Sequence, residues 1–180
     1  MAVPLLEVRG LRTEYRTFGG SRVVNAVDDV SFTLEEGKTI GLVGESGCGK
    51  TTTCLSVVRL LPRGAQVTGG EVLLRGKNLL DLSDAEMQHV RGNDIAMILQ
   101  DPMASLNPLF TVENQVGESA RHHRGLRGTP LRDRVRELLT AVRIPSPDVR
   151  MGEYPHQMSG GMRQRIAGAI ALSAGPKVII

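Results

Sequence analysis

The sequence contains no tryptophan, and aromatic residues make up only 3% of its 180 residues. Few side chains are therefore available to stack on nucleic-acid bases, and a net charge of +3 does not by itself indicate nucleic-acid binding. No apolar run approaches the roughly 20 residues of a membrane-spanning helix. The amino-terminus, with Glu7, Arg9 and Arg12 among apolar residues, does not resemble a signal peptide. We expect any link to a membrane to depend on partner proteins.

Cysteine is scarce as well, since the chain has only Cys48 and Cys54. They lie in and just after a glycine-rich loop, where a disulfide would distort the backbone. We therefore predict that both thiols are reduced and that the compartment is cytosolic.

That loop, residues 44–51, has the pattern G-x-x-x-x-G-K-T. It follows an apolar run at 39–43, which predicts a buried strand, and precedes a predicted helix at 52–61 that Pro62 ends. Strand, glycine loop and helix together are typical of a phosphate-binding loop, in which backbone N–H groups and the helix start face an anion. Lys50 would reach the β- and γ-phosphates, and the Thr51 hydroxyl would hold Mg²⁺.

The segments before the loop, at 5–15, 23–27 and 30–34, predict a small antiparallel sheet, and glycines bound a further predicted strand at 69–76. Tyr15 would either stack on a purine or pack within the sheet, and its spacing does not decide between the two.

A capping box from Ser83 to Glu86, with an apolar residue on each side, predicts a short helix that ends at Gly92. Residues 95–99 predict a buried strand, and Gln100 follows at its carboxyl end. Ligands of parallel sheets lie at that edge, so Gln100 is a candidate for contact with a metal ion or an attacking water.

The most basic region precedes a helix that Thr129 and Pro130 are predicted to begin. The apolar residues of that helix recur at helical spacing, at Leu131, Val135, Leu138, Leu139 and Val142. A solvated helical face is the simpler interpretation of this region, and a dedicated anion or lipid site is the alternative. No Cys or carboxylate lies at ligand spacing from its two histidines, which argues against a metal site. The basic residues are Arg121, His122, His123, Arg124 and Arg127.

Ser159, Gly160 and Gly161 precede an apolar helical segment at 166–172. A hydroxyl and two glycines make either an anion-receptive helix start or a simple serine cap, and chemistry alone leaves both open. Residues 177–180 predict the start of a buried strand.

With these motifs, the chain resembles the ATP-binding cassette (ABC) ATPases over essentially its whole length. Residues 44–51 match the Walker A loop, Gln100 the Q-loop glutamine, and 159–161 the core of the ABC signature. Tyr15 matches the aromatic residue that stacks on adenine. Walker A occurs in many nucleotide-binding families, whereas the signature after a helical insert is much more specific.

Two segments, 100–108 and 154–165, resemble the oligopeptide, dipeptide and nickel importer ATPases in particular. Met158 and Met162 stand where the usual signature has Leu and Gln. Met162 is familiar in one of the two ATPase subunits of that family, and Met158 conserves the volume of Leu.

The resemblance implies an α/β fold: a P-loop NTPase core with an N-terminal antiparallel β portion and an inserted α-helical subdomain. The single ATPase domain, 1–180, would comprise the β portion and core at 1–100, the helical subdomain at 101–155, and the signature helix with the start of the Walker B strand at 156–180. In that family the Walker B strand ends in an Asp and a Glu, and both positions come after the one that Ile180 matches. We therefore expect an N-terminal fragment that is incomplete for hydrolysis.

The implied function is that of the ATP-binding motor subunit of an importer of peptides or a related solute, with ATP and Mg²⁺ as cofactors. Expected partners are a second ABC ATPase, identical or different and paired head to tail, and permease subunits, with a solute-binding protein acting indirectly and no nucleic acid. The expected location is peripheral, on the cytoplasmic face of the membrane. Alternatives are a soluble ABC ATPase that acts on nucleic acid or ribosomes, and a non-catalytic nucleotide-binding module.

The expected site residues follow from the same resemblance. Catalysis would depend on Lys50 and Gln100, and Mg²⁺ would contact Thr51 and Gln100. The nucleotide would be bound by Tyr15, Gly44, Glu45, Ser46, Gly47, Cys48, Gly49, Lys50, Thr51, Thr52 and Gln100, and by Ser159, Gly160 and Gly161 from the partner's side.

Overall fold

The computed structural model describes residues 3–17, 22–99 and 105–180. The chain forms two compact units, Met1–Gln88 and His89–Ile180. The predicted division at residues 100 and 155 stays a prediction.

The first unit contains the predicted antiparallel sheet. Its strands are β1 (Leu6–Thr17), β2 (Arg22–Leu34), β3 (Ala65–Leu74) and β4 (Lys77–Asn78), in the order β2-β1-β3-β4. The segments at 23–27 and 30–34 form one continuous strand rather than two. β3 begins before the glycine pair at 69–70 instead of at it, so that predicted boundary was wrong.

A bulge at Gly10 sets which side chains of β1 face the core. Gly10 has a φ of 54°, and the register of β1 against β2 shifts between Val8 and Leu11. The buried positions change accordingly from Leu6 and Val8 to Leu11 and Thr13, with one extra residue between the pairs. The bulge therefore turns Thr13 inward, towards the helix that packs on the sheet.

The first unit also contains the helix α1 (Lys50–Val57) and a 3₁₀ turn at Leu79–Asp81, and the helix α2 (Asp84–Asn93) begins in the first unit and ends in the second. α1 ends earlier than the predicted 52–61. Arg59 adopts a φ of 52°, and the N–H of Leu60 donates to the carbonyl of Leu55 at 2.9 Å. The helix is therefore ended by a left-handed residue before Pro62 is reached.

The predicted capping box begins α2. The Ser83 hydroxyl accepts from the N–H of Glu86 at 3.3 Å, and the Glu86 carboxylate accepts from the N–H of Ser83 at 2.9 Å. The Ser83 hydroxyl also donates to this carboxylate at 2.9 Å, and the two bonds that the carboxylate accepts, the backbone one first, lower the pKa of Glu86. Gly92, with a φ of 83°, interrupts the helical geometry near the predicted end.

The second unit is mostly helical. Its helices are α3 (Val112–Val116), α4 (Glu118–Arg124), α5 (Gly128–Ala141), α6 (Pro147–Arg150) and α7 (Gly160–Leu172), with a 3₁₀ turn at Pro155–Gln157. Two short parallel strands, β5 (Ile95–Ala96) and β6 (Val178–Ile179), pair with each other. Its core is built from apolar residues of α3, α5 and α7 and their connections. On α5 the predicted apolar positions Leu131, Val135, Leu138 and Leu139 are buried, as expected.

Two predicted strands differ from the structure. Residues 39–43 form no strand, and Val43 is 96% exposed. A strand needs a partner for its backbone groups, and no strand in the described part of the chain pairs with this segment. The strand predicted at 95–99 is limited to two residues, although the N–H of Ile98 still donates to the carbonyl of Ile180 at 2.7 Å.

None of the helices in the described ranges combines the length and the apolar character that a membrane span requires.

Candidate phosphate-binding site

Two left-handed glycines shape the loop at 44–51. Gly47 has a φ of 83° and Gly49 a φ of 93°, a region that residues with a side chain rarely adopt. At Gly49 the space is also closed, because a Cβ atom there would lie 2.2 Å from the Ala26 carbonyl oxygen of β2. At Gly47 nothing lies within 4 Å of that position. Gly49 therefore fixes where the loop meets the sheet, and Gly47 only turns the chain.

The Lys50 ammonium closes the loop. Its Nζ donates to the carbonyl oxygens of Gly44 at 2.7 Å and Glu45 at 2.6 Å, and it lies 3.5 Å from Cys48 Sγ. The ammonium group is thus positioned over the loop, and both of its carbonyl acceptors carry no formal charge. A phosphate oxygen would be a stronger, charge-assisted acceptor for the same donors.

The backbone amides at the start of α1 are open. No side chain caps this helix. Along its first turn, Thr53 is the first residue whose N–H has a backbone acceptor, the Gly49 carbonyl at 2.8 Å. In the described part of the chain the N–H groups of Lys50, Thr51 and Thr52 have no recorded acceptor. Three unpaired N–H groups at the positive end of a helix favour an anion there.

The loop is accessible to solvent. Residues 44–48, which include Glu45, Ser46 and Cys48, are exposed, as is Thr51, whereas Gly49, Lys50 and Thr52 are half-buried. Both cysteines are free thiols, and burial raises the pKa of Cys54.

Tyr15 lies beside this loop. Its side chain is half-buried, and its hydroxyl is 3.4 Å from Thr52 Oγ1 on α1. One step deeper, Thr13 Oγ1 is 2.8 Å from Ser56 Oγ, and the Ser56 hydroxyl donates to the Thr52 carbonyl at 2.7 Å. Because Ser56 uses its proton there, Thr13 is the donor of the buried pair. The two contacts bring Tyr15 and the loop together, and purine stacking by Tyr15 stays a prediction.

The second motif lies in the second unit. Ser159 caps α7, and its Oγ accepts from the N–H of Met162 at 3.3 Å. The serine-cap interpretation is therefore confirmed, and an additional contact with an anion stays a prediction. Ser159, Gly160 and Gly161 are exposed, and a Cβ on either glycine would have nothing within 4 Å. The packing of this chain does not require glycine at either position.

Gln100 lies outside the described residues. The predicted catalytic and metal contacts of Gln100 therefore stay predictions, like the proposed Mg²⁺ contact of Thr51.

Sequence reasoning missed Gln115, a buried side chain of α3. Its Oε1 accepts from the N–H of Asn107, and its Nε2 donates to the carbonyls of Asn107 and Phe110, each at 2.9 Å. These bonds fix the loop at 107–110, which presents Leu109 at 79% exposure and Phe110 at 51%. The only sequence signal was a polar residue between the apolar helix positions Val112 and Val116.

Comparison with known proteins agrees with this geometry. The sequence profile of the family described as "ABC transporter" matches residues 27–180. A protein described as a putative peptide import ATP-binding protein of Brucella melitensis is 49% identical over 98% of the chain, and the dipeptide transport ATP-binding protein DppD of Bacillus subtilis is 48% identical over the same share. The chain spans about half the length of these relatives, 53% and 52% respectively.

Solved structures are similar as well. The dimeric bacterial ABC transporter cassette MJ0796 matches 97% of the chain with a TM-score of 0.81 at 27% identity, and the match covers 72% of that cassette. A dimeric post-hydrolysis state of the same cassette, bound to ADP and Pi, matches with a TM-score of 0.83. The α/β fold class is confirmed.

The two loop glycines give a direct test of this geometry. Gly47→Ala should cost about 1–2 kcal/mol of unfolding free energy, because an L residue is placed in left-handed backbone. Gly49→Ala should cost clearly more, since its methyl group would also displace the Ala26 carbonyl. Denaturant unfolding followed by circular dichroism measures both. Equal losses for the two variants would contradict the packing of the loop against β2.

Proposed function

Because the chain belongs to the ABC transporter family, we propose that it is the ATP-binding motor subunit of an importer, which couples ATP binding and hydrolysis to the uptake of peptides or a related solute across a membrane. The relatives named as peptide and dipeptide import proteins support this solute class. The observation that carries the proposal is the loop at 44–51, where open amides and the Lys50 ammonium converge.

The residues present fit a nucleoside triphosphate. The amides of Lys50, Thr51 and Thr52 would donate to phosphate oxygens, and Lys50 would exchange its two carbonyl acceptors for the β- and γ-phosphates. Tyr15, held beside Thr52, would lie under the purine. Mg²⁺ would neutralise the charge of the β- and γ-phosphates, with Thr51 and Gln100 as its protein contacts. Gln100 would also orient the attacking water.

A second ATPase subunit would complete the site. The exposed start of α7 has an unobstructed pair of glycines, although glycine in a helix costs roughly 0.5–1 kcal/mol relative to alanine. A close approach by another molecule is a physical reason to keep them. In a head-to-tail pair, Ser159, Gly160 and Gly161 of one subunit would contact the γ-phosphate bound by the other.

The loop at 107–110 is suited to contact a permease subunit. Leu109 and Phe110 are two adjacent exposed apolar side chains, and Gln115 holds the backbone at each end of this loop, at Asn107 and Phe110, with three hydrogen bonds. A rigid loop with exposed apolar side chains is typical of a protein–protein contact. The subunit would then be bound at the cytoplasmic face of the membrane through the permease, and would reach the solute-binding protein only indirectly.

Replacing Lys50 tests the nucleotide site. Lys50→Ala should weaken ATP binding about tenfold or more, because it removes a charged donor that faces a polyphosphate. Isothermal titration with ATP·Mg²⁺ measures the change, and Lys38→Ala, at an exposed lysine outside the loop, is the matched control. Equal affinities of the parent chain and Lys50→Ala would refute the assignment of the loop.

The signature motif has its own test in the paired subunits. Gly161→Asp should leave ATP binding by one subunit intact but prevent nucleotide-dependent dimerisation, because a carboxylate would face the partner's γ-phosphate. Sedimentation velocity with a non-hydrolysable ATP analogue and Mg²⁺ measures dimer formation. Gln164→Glu adds the same charge at an exposed position of α7 and is expected to dimerise. A dimer unaffected by Gly161→Asp would mean that the segment only caps the helix.

A further inference from the structure

A basic cavity lies in the helical unit, on residues that the nucleotide site does not use. It has a volume of about 620 Å³, within the range of small-molecule sites. It is formed by α4 and the residues that follow that helix. The lining residues are Glu118, Ser119, Arg121, His122, His123 and Arg127.

Neighbouring arginines have structural partners. Arg124 Nε donates to the Ala174 carbonyl at 2.8 Å. Arg134 donates to the carbonyl of Leu172, the last residue of α7, and to that of Ser173, which follows it. Arg132 forms an ion pair with Glu113. These cations stabilise the helical unit itself, so their presence needs no ligand.

The two arginines of the cavity differ from them. In the described ranges neither Arg121 nor Arg127 has a recorded ion pair or side-chain hydrogen bond. Glu118 lies one helical turn before Arg121, yet no ion pair within 4 Å joins them among the described residues. The cavity thus holds two guanidinium groups against one carboxylate, and neither guanidinium is neutralised by that carboxylate.

Two histidines, His122 and His123, line the cavity, and His89 lies next to His123 outside the lining. The His123 ring meets His122 edge-on with 4.7 Å between centroids, and His89 at 5.9 Å. Gly92 makes room for it, because a Cβ there would lie 3.1 Å from His123 Nε2 and 3.5 Å from Ser119 Oγ. The ring is therefore held in place from both sides.

Burial and the neighbouring histidines oppose the protonation of His123. Burial, and then the neighbouring His122 and His89, lower the pKa of His123, while a hydrogen bond with the Arg91 backbone and the charge of Asp94 act in the other direction. A bound anion would favour the protonated ring, so the histidines report on the occupancy of the cavity.

We propose that this cavity binds a phosphate group, carried either by a small soluble molecule or by a lipid headgroup. Two guanidinium groups, two imidazoles and the Ser119 hydroxyl provide several convergent donors, and arginine is suited to phosphate by its planar, bidentate geometry. A metal ion is disfavoured, since no group of three or more potential ligands is found within the described segments. The proposal does not rest on nucleotide binding by the loop at 44–51.

Proton NMR of the histidine rings tests the proposal, because the chain has only four histidines. Inorganic phosphate is titrated into the Lys50→Ala chain, in which competing binding at the nucleotide loop is weakened. The pKa of His123 should rise by about 1, since a bound anion stabilises the imidazolium form. The ring signals of His156, outside the cavity, should not respond to phosphate.

Paired variants separate the site from general surface charge. Arg121→Gln with Arg127→Gln should weaken the phosphate effect about tenfold or more, because each substitution removes a charged donor. Arg63→Gln with Lys38→Gln removes the same net charge at exposed positions outside the cavity and should leave the effect unchanged. A phosphate effect that survives in the cavity variant, or one that weakens equally in both, would overturn the proposal.

Vesicle sedimentation identifies the source of the phosphate group. Retention on phosphatidylglycerol but not phosphatidylcholine vesicles, lost in the cavity variant and kept in the control, would assign a lipid headgroup. If inorganic phosphate shifts the histidine signals but the chain is not retained on phosphatidylglycerol vesicles, the ligand is a soluble phosphate compound. If the folded Lys50→Ala chain shows neither the histidine shifts nor vesicle retention, the proposal is refuted, whatever the arginine variants do.

Discussion

The close contact between Gly49 and the Ala26 carbonyl is the constraint on which the nucleotide site depends. No side chain fits at Gly49, and its left-handed backbone directs the chain from the loop into α1. The buried pair of Thr13 and Ser56 fixes the other side of that helix to β1. The open amides and Lys50 at the start of α1 are therefore oriented by the antiparallel sheet, and the direction of the helix dipole is set before any ligand binds.

Sequence reasoning found the features that local chemistry determines. The glycine loop at 44–51 with the helix start after it, the capping box at Ser83 and Glu86 and the apolar face of α5 each depend on residues close together in the chain, so their patterns were sufficient. The failures were non-local. The segment at 39–43 has the composition of a buried strand, but strand formation depends on a pairing partner that the local pattern does not identify. The bulge at Gly10, the early end of α1 at the left-handed Arg59 and the buried amide of Gln115 depend on tertiary contacts in the same way.

The helical unit separates side chains that stabilise it from side chains that are available to other molecules. Ser159, Gln115, Arg124 and Arg134 satisfy helix ends and loop carbonyls within the unit. Other groups make no such contribution among the described residues: the glycines after Ser159, the apolar pair at 109–110 and the two arginines of the basic cavity. Three separate surfaces thus remain for three proposed partners, which are a second ATPase, a permease and a phosphate group.

The most direct test of the account is to map ATP·Mg²⁺ onto the backbone by amide chemical shifts in a ¹⁵N-labelled chain. The account predicts that the largest changes occur at Lys50, Thr51 and Thr52, because those N–H groups would gain phosphate acceptors, and that Gly47 and Gly49 of the same loop also change. Changes should be smaller in β3 and β4, which lie in the same unit but contribute no residue to the loop. If ATP·Mg²⁺ causes saturable changes elsewhere in the chain and none at residues 44–52, the assignment of this loop as the nucleotide site is contradicted.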